Sequence, residues 1–232
     1  MEKKFEEKSF ILGLDVSTKT IGIALYEDLG NKGALTVLTH VTPKIKPVPK
    51  NKNEELFKKC DVFEEEFLNK YVDLNITRVI IEEPLLRSNN VNTVGTLLRF
   101  NGMISRAVHQ KLGIVPDFIS SFDARKFSFP ELMAIRTHNK KGERYPEKDI
   151  IKKTAEGKTT LFGGYDWTVD KKTIIWEKVA ELEPQIEWLY NRKQALSKEN
   201  FDMSDSVTCI LGFMNKINLW PIDKRDGYKI LK

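Results

Sequence analysis

Three apolar runs stand close together at the start of this chain, and the turns between them are too short for anything but reversals. Residues 9–16 form the first run and "KTIGIALYE" (19–27) the second, joined by a tight turn at "STK". "ALTVLTHV" (34–41) follows after the turn "LGNKG". Parallel strands need crossovers of a dozen residues or more, so these three strands must be an antiparallel meander. After the meander the pattern changes. Residues 42–53, "TPKIKPVPKNKN", are rich in Pro and Lys and predict a loop. Residues 54–72 place Leu56, Phe57, Cys60, Phe63, Phe67 and Leu68 at helical spacing. "TRVIIEEP" (77–84) predicts a strand ended by Pro84, residues 91–112 a helix, and "IVPDFIS" (114–120) a strand weakened by Pro116.

The order βββαβαβ predicts an α/β fold. It has a mixed five-stranded sheet, three antiparallel strands and then alternating helices and strands, with helices on both faces. The last clear element is a helix over 201–216, with Val207, Ile210, Leu211 and Met214 on its apolar face. Before it lies a long polar stretch, about 126–172, so the chain is expected to be a single domain, 1–232, with an insertion at about 130–170. Residues 171–192 predict a helix that Pro184 breaks or kinks.

Composition limits the function classes. With 232 residues, 41% hydrophobic and 31% charged, the chain has enough apolar material for a real core. No apolar run approaches the roughly 20 residues of a membrane span. The start, "MEKKFEEKSF", lacks an apolar signal core, so a cytoplasmic location is expected. Cys60 and Cys209 have no metal-type neighbours and are expected to be two buried thiols. The net charge of +5 tilts toward a polyanionic partner such as nucleic acid. A membrane surface could use the same charge, but no basic amphipathic helix stands out.

Carboxylates occur where apolar residues are expected. Asp15 ends the first strand, Glu82 and Glu83 end the fourth, and Asp202 and Asp205 lie in the first turn of the last helix. Each has a bland explanation: Asp15 as a turn former, Glu82–Glu83 as a solvated strand end, the two aspartates as partners of the helix dipole. Together they say more. Strands one and four are neighbours in the inferred sheet, so Asp15 and Glu82 come side by side. A spacing of three puts Asp202 and Asp205 on one helix face, and that helix could close over the pair. Four clustered carboxylates repel unless a cation joins them. Oxygen ligands without His or Cys suit Mg²⁺ or Mn²⁺ rather than Zn²⁺.

"GLDVSTKTIGIAL", then "VIIEE", then "DMSD" before an apolar helix, resemble the RuvC-like Holliday junction resolvases of the RNase H-like superfamily, the phage type above all. The resemblance carries the acidic site to Asp15, Glu82, Asp202 and Asp205. Asn89, seven residues after Glu82, suits the family's loop and favours Glu82 over Glu83. It implies a homodimer that binds four-way DNA junctions and often other branched DNA. Each subunit nicks one strand with two Mg²⁺ ions, for which Mn²⁺ substitutes, and leaves 5′-phosphate ends. Two departures stand out. Glu82 and Asp202 are 120 residues apart, farther than in compact bacterial members, and Leu85 replaces an aromatic used at the junction centre.

Lys19, Arg87, Arg99, Arg125 and Lys126 are candidate phosphate contacts, or else a solvated charged face. In the insertion, lysines interleave with Tyr145, Tyr165 and Trp167, which could grip unstacked bases or pack a small core of their own. His40, His109 and His138 lack ligand spacing. Two other functions fit parts of the sequence. "GLDVSTKT" also resembles the phosphate hairpin of sugar kinases and actin-like ATPases, with Ser17 in place of a glycine and "FGGYDW" (162–167) a poor second loop. A non-cleaving junction-binding module would need a missing acid, and none is missing.

Overall fold

The computed structural model describes residues 8–84, 90–139, 141–161 and 170–224. Strands β1 (Phe10–Val16), β2 (Ile21–Asp28) and β3 (Gly33–Val41) form the meander, and β4 (Ile76–Glu82) and β5 (Asp117–Ile119) join parallel to β1. The sheet order is β3-β2-β1-β4-β5. This is the mixed sheet expected from the order of apolar runs. β5 is shorter than the expected 114–120, because Pro116 has no N–H to give a ladder.

Helices cover both faces. On one side lie α1 (Lys52–Phe63), extended by a π-helical turn at Glu64–Leu68 and the short α2 (Asn69–Tyr71), and α3 (Val91–Leu112). Asn51 caps α1 by accepting from the Asn53 and Glu54 N–H groups, and Asn90 caps α3 in the same way. Leu56, Cys60, Phe63, Phe67, Phe100, Ile104 and Val108 pack there against Leu12, Leu14, Ile23 and Ile81. On the other side lie α4 (Ser121–Ser128), α6 (Lys171–Leu182) and α7 (Glu199–Lys216). Their core joins Ile11, Ala24 and Ile80 to Ala124, Ile175, Val179, Val207, Ile210 and Met214. The remaining elements are β6 (Met133–Ala134), α5 (Glu147–Ala155) and β7 (Thr160–Leu161), with β6 and β7 paired antiparallel.

One expectation needs correction. The polar stretch expected to begin near 126 overlaps a structural helix. α4 is capped by Ser120, whose Oγ accepts from the Asp123 N–H, and it packs closely on α7. A Cβ on Gly212 would lie 2.3 Å from the Ala124 carbonyl oxygen, so the glycine permits that crossing. Ser128 Oγ donates to the Thr208 carbonyl and Asn215 Nδ2 to the Phe127 carbonyl. The helix expected over 171–192 with a break at Pro184 does break there: it ends at Leu182. Pro disfavours α geometry in the residue before it, and Glu183 has φ −122° and ψ 64°. Cys60 and Cys209 are buried free thiols, as expected. Among the described residues no helix is long and apolar enough to cross a membrane.

Candidate functional site

Strand register puts the first two acids together. The last β1–β4 pair is Leu14↔Ile81, so Asp15 and Glu82 come next on adjacent strands. Side chains alternate along a strand. Asp15 therefore shares a face with Ile11 and Gly13, and Glu82 shares it with Ile80. Ile11 and Ile80 belong to the core beneath α7.

Two glycines then let α7 approach. A Cβ on Gly13 would lie 2.5 Å from the Ser206 carbonyl oxygen. A Cβ on Gly22, the β2 partner of Asp15, would lie 2.0 Å from the Asp202 carbonyl oxygen. Any side chain at either place would hold the helix off the sheet. With both absent, the first turns of α7 bring Asp202 and Asp205 over the strand ends. α7 is buried from Met203 to Gly212 because sheet, α4 and α6 surround it. Asp205 is only 4% exposed.

That placement shapes the charges of the four acids. Burial, then the charges of Glu82, Asp205 and Asp202, hold the Asp15 carboxyl well above the ordinary aspartate range. Burial and the charge of Asp205 push Glu82 up to about 8, against the opposing pull of Arg125 and Lys172. Burial also raises Asp202, while Lys172 opposes the rise. Asp15 keeps some accessible surface although protein surrounds its carboxylate. Both observations fit the floor of a narrow crevice, reached by water and poorly solvated.

Among the described residues, two cations face these acids. Arg125, from α4, places Nη2 3.0 Å from Asp205 Oδ1, and its buried Nε has no hydrogen-bond partner. Lys172, from the first turn of α6, places Nζ 3.5 Å from Asp202 Oδ1 and 3.9 Å from Asp205 Oδ2. Two cations do not balance four acids. An all-oxygen donor set with surplus negative charge fits a hard divalent cation. The fit lies in donor type, position and charge. Asp202 and Asp205 are paired with Lys172 and Arg125, and among the described residues no group of three or more His, Cys, Asp or Glu is already arranged to hold an ion.

Of the sequence candidates, Asp15, Glu82, Asp202, Asp205 and Arg125 meet here. Glu83 is exposed and only its backbone N–H is engaged, donating to the Ile119 carbonyl. Lys19 is exposed in the β1–β2 turn. Arg99 is exposed on α3 and donates to the Gly95 carbonyl and Asn53 Oδ1. Lys126 stacks over the Phe127 ring, 5.3 Å from its centre. Tyr145 lies beneath Lys153 Nζ, 3.7 Å away. Leu85, Arg87, Asn89, "FGGYDW", Tyr165 and Trp167 lie outside the described residues. Sequence reasoning missed Lys172. Its signal was the "DKK" at 170–172, which reads as insertion charge until Asp170 is seen to cap α6 and aim the next turn at α7.

No protein-family model matches the chain, and no curated protein matches its sequence. Among solved structures, it is similar to RuvC of T. thermophilus in complex with a Holliday junction substrate, at 9% identity and TM-score 0.49, over 90% of this chain and 96% of that one. It is also similar to a further Thermus thermophilus RuvC structure, at 13% identity and TM-score 0.45, over 90% and 97%. The yeast mitochondrial Holliday junction resolvase is similar at 12% identity and TM-score 0.46, over 94% and 82%. The fold is RNase H-like. Its strand order and the parallel addition of β4 and β5 to the meander carry that statement.

Proposed function

We propose that this chain is a structure-selective DNA endonuclease that resolves Holliday junctions, and other branched DNA, by Mg²⁺-dependent phosphodiester hydrolysis as a homodimer. One observation carries the reading: four carboxylates from two strand ends and one helix meet in a poorly solvated crevice that, among the described residues, two cations face. The ordered motifs supply the substrate class. Asp15, Glu82, Asp202 and Asp205 would hold two Mg²⁺ ions, with Mn²⁺ as a substitute. When bound, such ions activate water at neutral pH and stabilise the leaving oxygen. Arg125 holds Asp205 in place from the α4 side. Lys172, half-exposed, reaches Asp202 from the solvent side, where a phosphodiester would arrive.

The kinase-like reading fares worse at the β1–β2 hairpin. A phosphate loop needs free N–H groups. Here the Ser17 N–H donates to the Thr20 carbonyl, and the Lys19 and Thr20 N–H groups donate to Ser17 Oγ. Ser17 Oγ itself donates to the Thr20 carbonyl. The turn uses its own donors.

The test compares a synthetic four-way junction, a flap and a linear duplex, with and without Mg²⁺. Symmetric nicking of the junction with 5′-phosphate ends is expected only with Mg²⁺, and Asp15→Asn abolishes it. Equal cleavage by that variant sinks the proposal. Junction binding in EDTA with no nicking after Mg²⁺ is restored would favour a non-cleaving module instead.

A further inference from the structure

The loop at 42–51 joins β3 to α1. Residues 42–53 carry four lysines, three prolines and no acid. The loop leaves β3 at Val41, which pairs with Ile21, and Ile21 pairs with Val16 beside Asp15. It therefore starts at the same end of the sheet as the carboxylates, two strands away, or about 10 Å. Just past its far end, in the first turn of α1, Asn53 accepts from Arg99 Nη1 at 2.9 Å, which ties that end to the first half of α3. The Glu199 carboxyl, held low chiefly by the Ser197 hydroxyl, also feels His40 and Lys44, and Glu199 lies three residues before Asp202.

The lysines are available. Lys44, Lys46 and Lys50 are exposed, and Val48 between them is 66% exposed. The nearest acids on α1 are taken: Glu54 pairs with Lys58, and Glu55 with Lys52 and Lys59. Among the described residues, Lys44, Lys46 and Lys50 form no ion pair. Three prolines fix φ along the loop, so less backbone freedom is lost when it meets a partner. A stiff basic strap without acids suits a regular polyanion. We infer that the loop at 42–51 is a backbone clamp for a DNA arm leaving the carboxylate crevice, with Lys44, Lys46 and Lys50 on its phosphates. The inference rests on the proposed action on branched DNA. Phosphate contacts of this kind set register and affinity without reading sequence.

The test measures junction binding in EDTA by fluorescence anisotropy across a salt series. Each phosphate neutralised contributes about −0.9 to the slope of log affinity against log salt. The triple variant K44Q/K46Q/K50Q is expected to bind at least about tenfold more weakly and to flatten that slope by about 2 to 3. Its thermal melt and its nicking rate at saturating protein stay as in the wild type. A control removes three exposed charges from the other end of the sheet (K8Q/K70Q/K111Q) and leaves the slope unchanged. Wild-type affinity and slope in the strap variant, or equal losses in strap and control variants, overturn the clamp. If the wild type binds the junction but never nicks, the nuclease reading falls alone and the slope still decides the clamp. If it binds no DNA at any salt, both fall.

Discussion

Glu82 is the residue where the site's electrostatics are most open to measurement. Its carboxyl is pushed from the ordinary value near 4.5 up to about 8, first by burial and then by Asp205. The folded protein therefore binds a proton there that the unfolded chain releases. Between about pH 4.5 and 8 the folded state carries the extra proton, so metal-free stability falls as pH rises through that window. Asp15 is shifted in the same direction and adds to the trend. Glu82→Gln removes the proton and the repulsion together. Metal-free denaturation should find Glu82→Gln more stable than the wild type at pH 8, by on the order of 1–3 kcal/mol, with the difference vanishing near pH 5. Parallel pH profiles for the two proteins would show that Glu82 is not strained in this way.

At the scale of elements, the crevice depends on how closely α7 lies on β1 and β2. Gly13 and Gly22 set that distance, and the tighter contact is at Gly22, against the Asp202 backbone. Backbone cannot rotate out of the way as a side-chain tip can. Gly22→Ala should therefore cost about 1–3 kcal/mol, the usual range for overpacking. It should also weaken Mg²⁺ binding, because Asp202 and Asp205 move away from Asp15 with the helix. Urea unfolding and a calorimetric Mg²⁺ titration read the two effects separately. Gly102, whose added Cβ would meet nothing within 4 Å, is the control, and Gly102→Ala should leave Mg²⁺ binding unchanged. An unaltered Gly22→Ala protein would mean that α7 does not depend on this contact.

For the whole molecule, a cation that binds only the folded state must stabilise it. At about 100 times its dissociation constant the gain is about 2.7 kcal/mol, or roughly 5–10 °C in a chain of this size. Mg²⁺ should raise the melting temperature by that order at pH 7.5, and a chelator should reverse it. Asp15→Asn should lose most of the rise, since it removes a proposed ligand and relieves repulsion in the metal-free state. A Mg²⁺-independent melting temperature would argue against a metal at the carboxylates even if DNA binding were found.

Much of this was legible in the chain itself. Short turns forced the meander, apolar periodicity placed α3 and α7, and acids ending apolar runs marked Asp15, Glu82, Asp202 and Asp205, because these signals are local. Other features needed the tertiary structure. α4 is eight residues long, too short for periodicity to register, and it is defined by its packing on α7. Lys172 looked like one more surface charge until α6 aimed it at α7. Sequence marked the glycines at 13 and 22 as part of a motif, but not their purpose, since that depends on a helix almost two hundred residues away. The sequence by itself determined which strands pair and which residues are acidic. Only the tertiary structure decided which acids share a crevice, because desolvation and repulsion act through space and α7 closes that space from the far end of the chain.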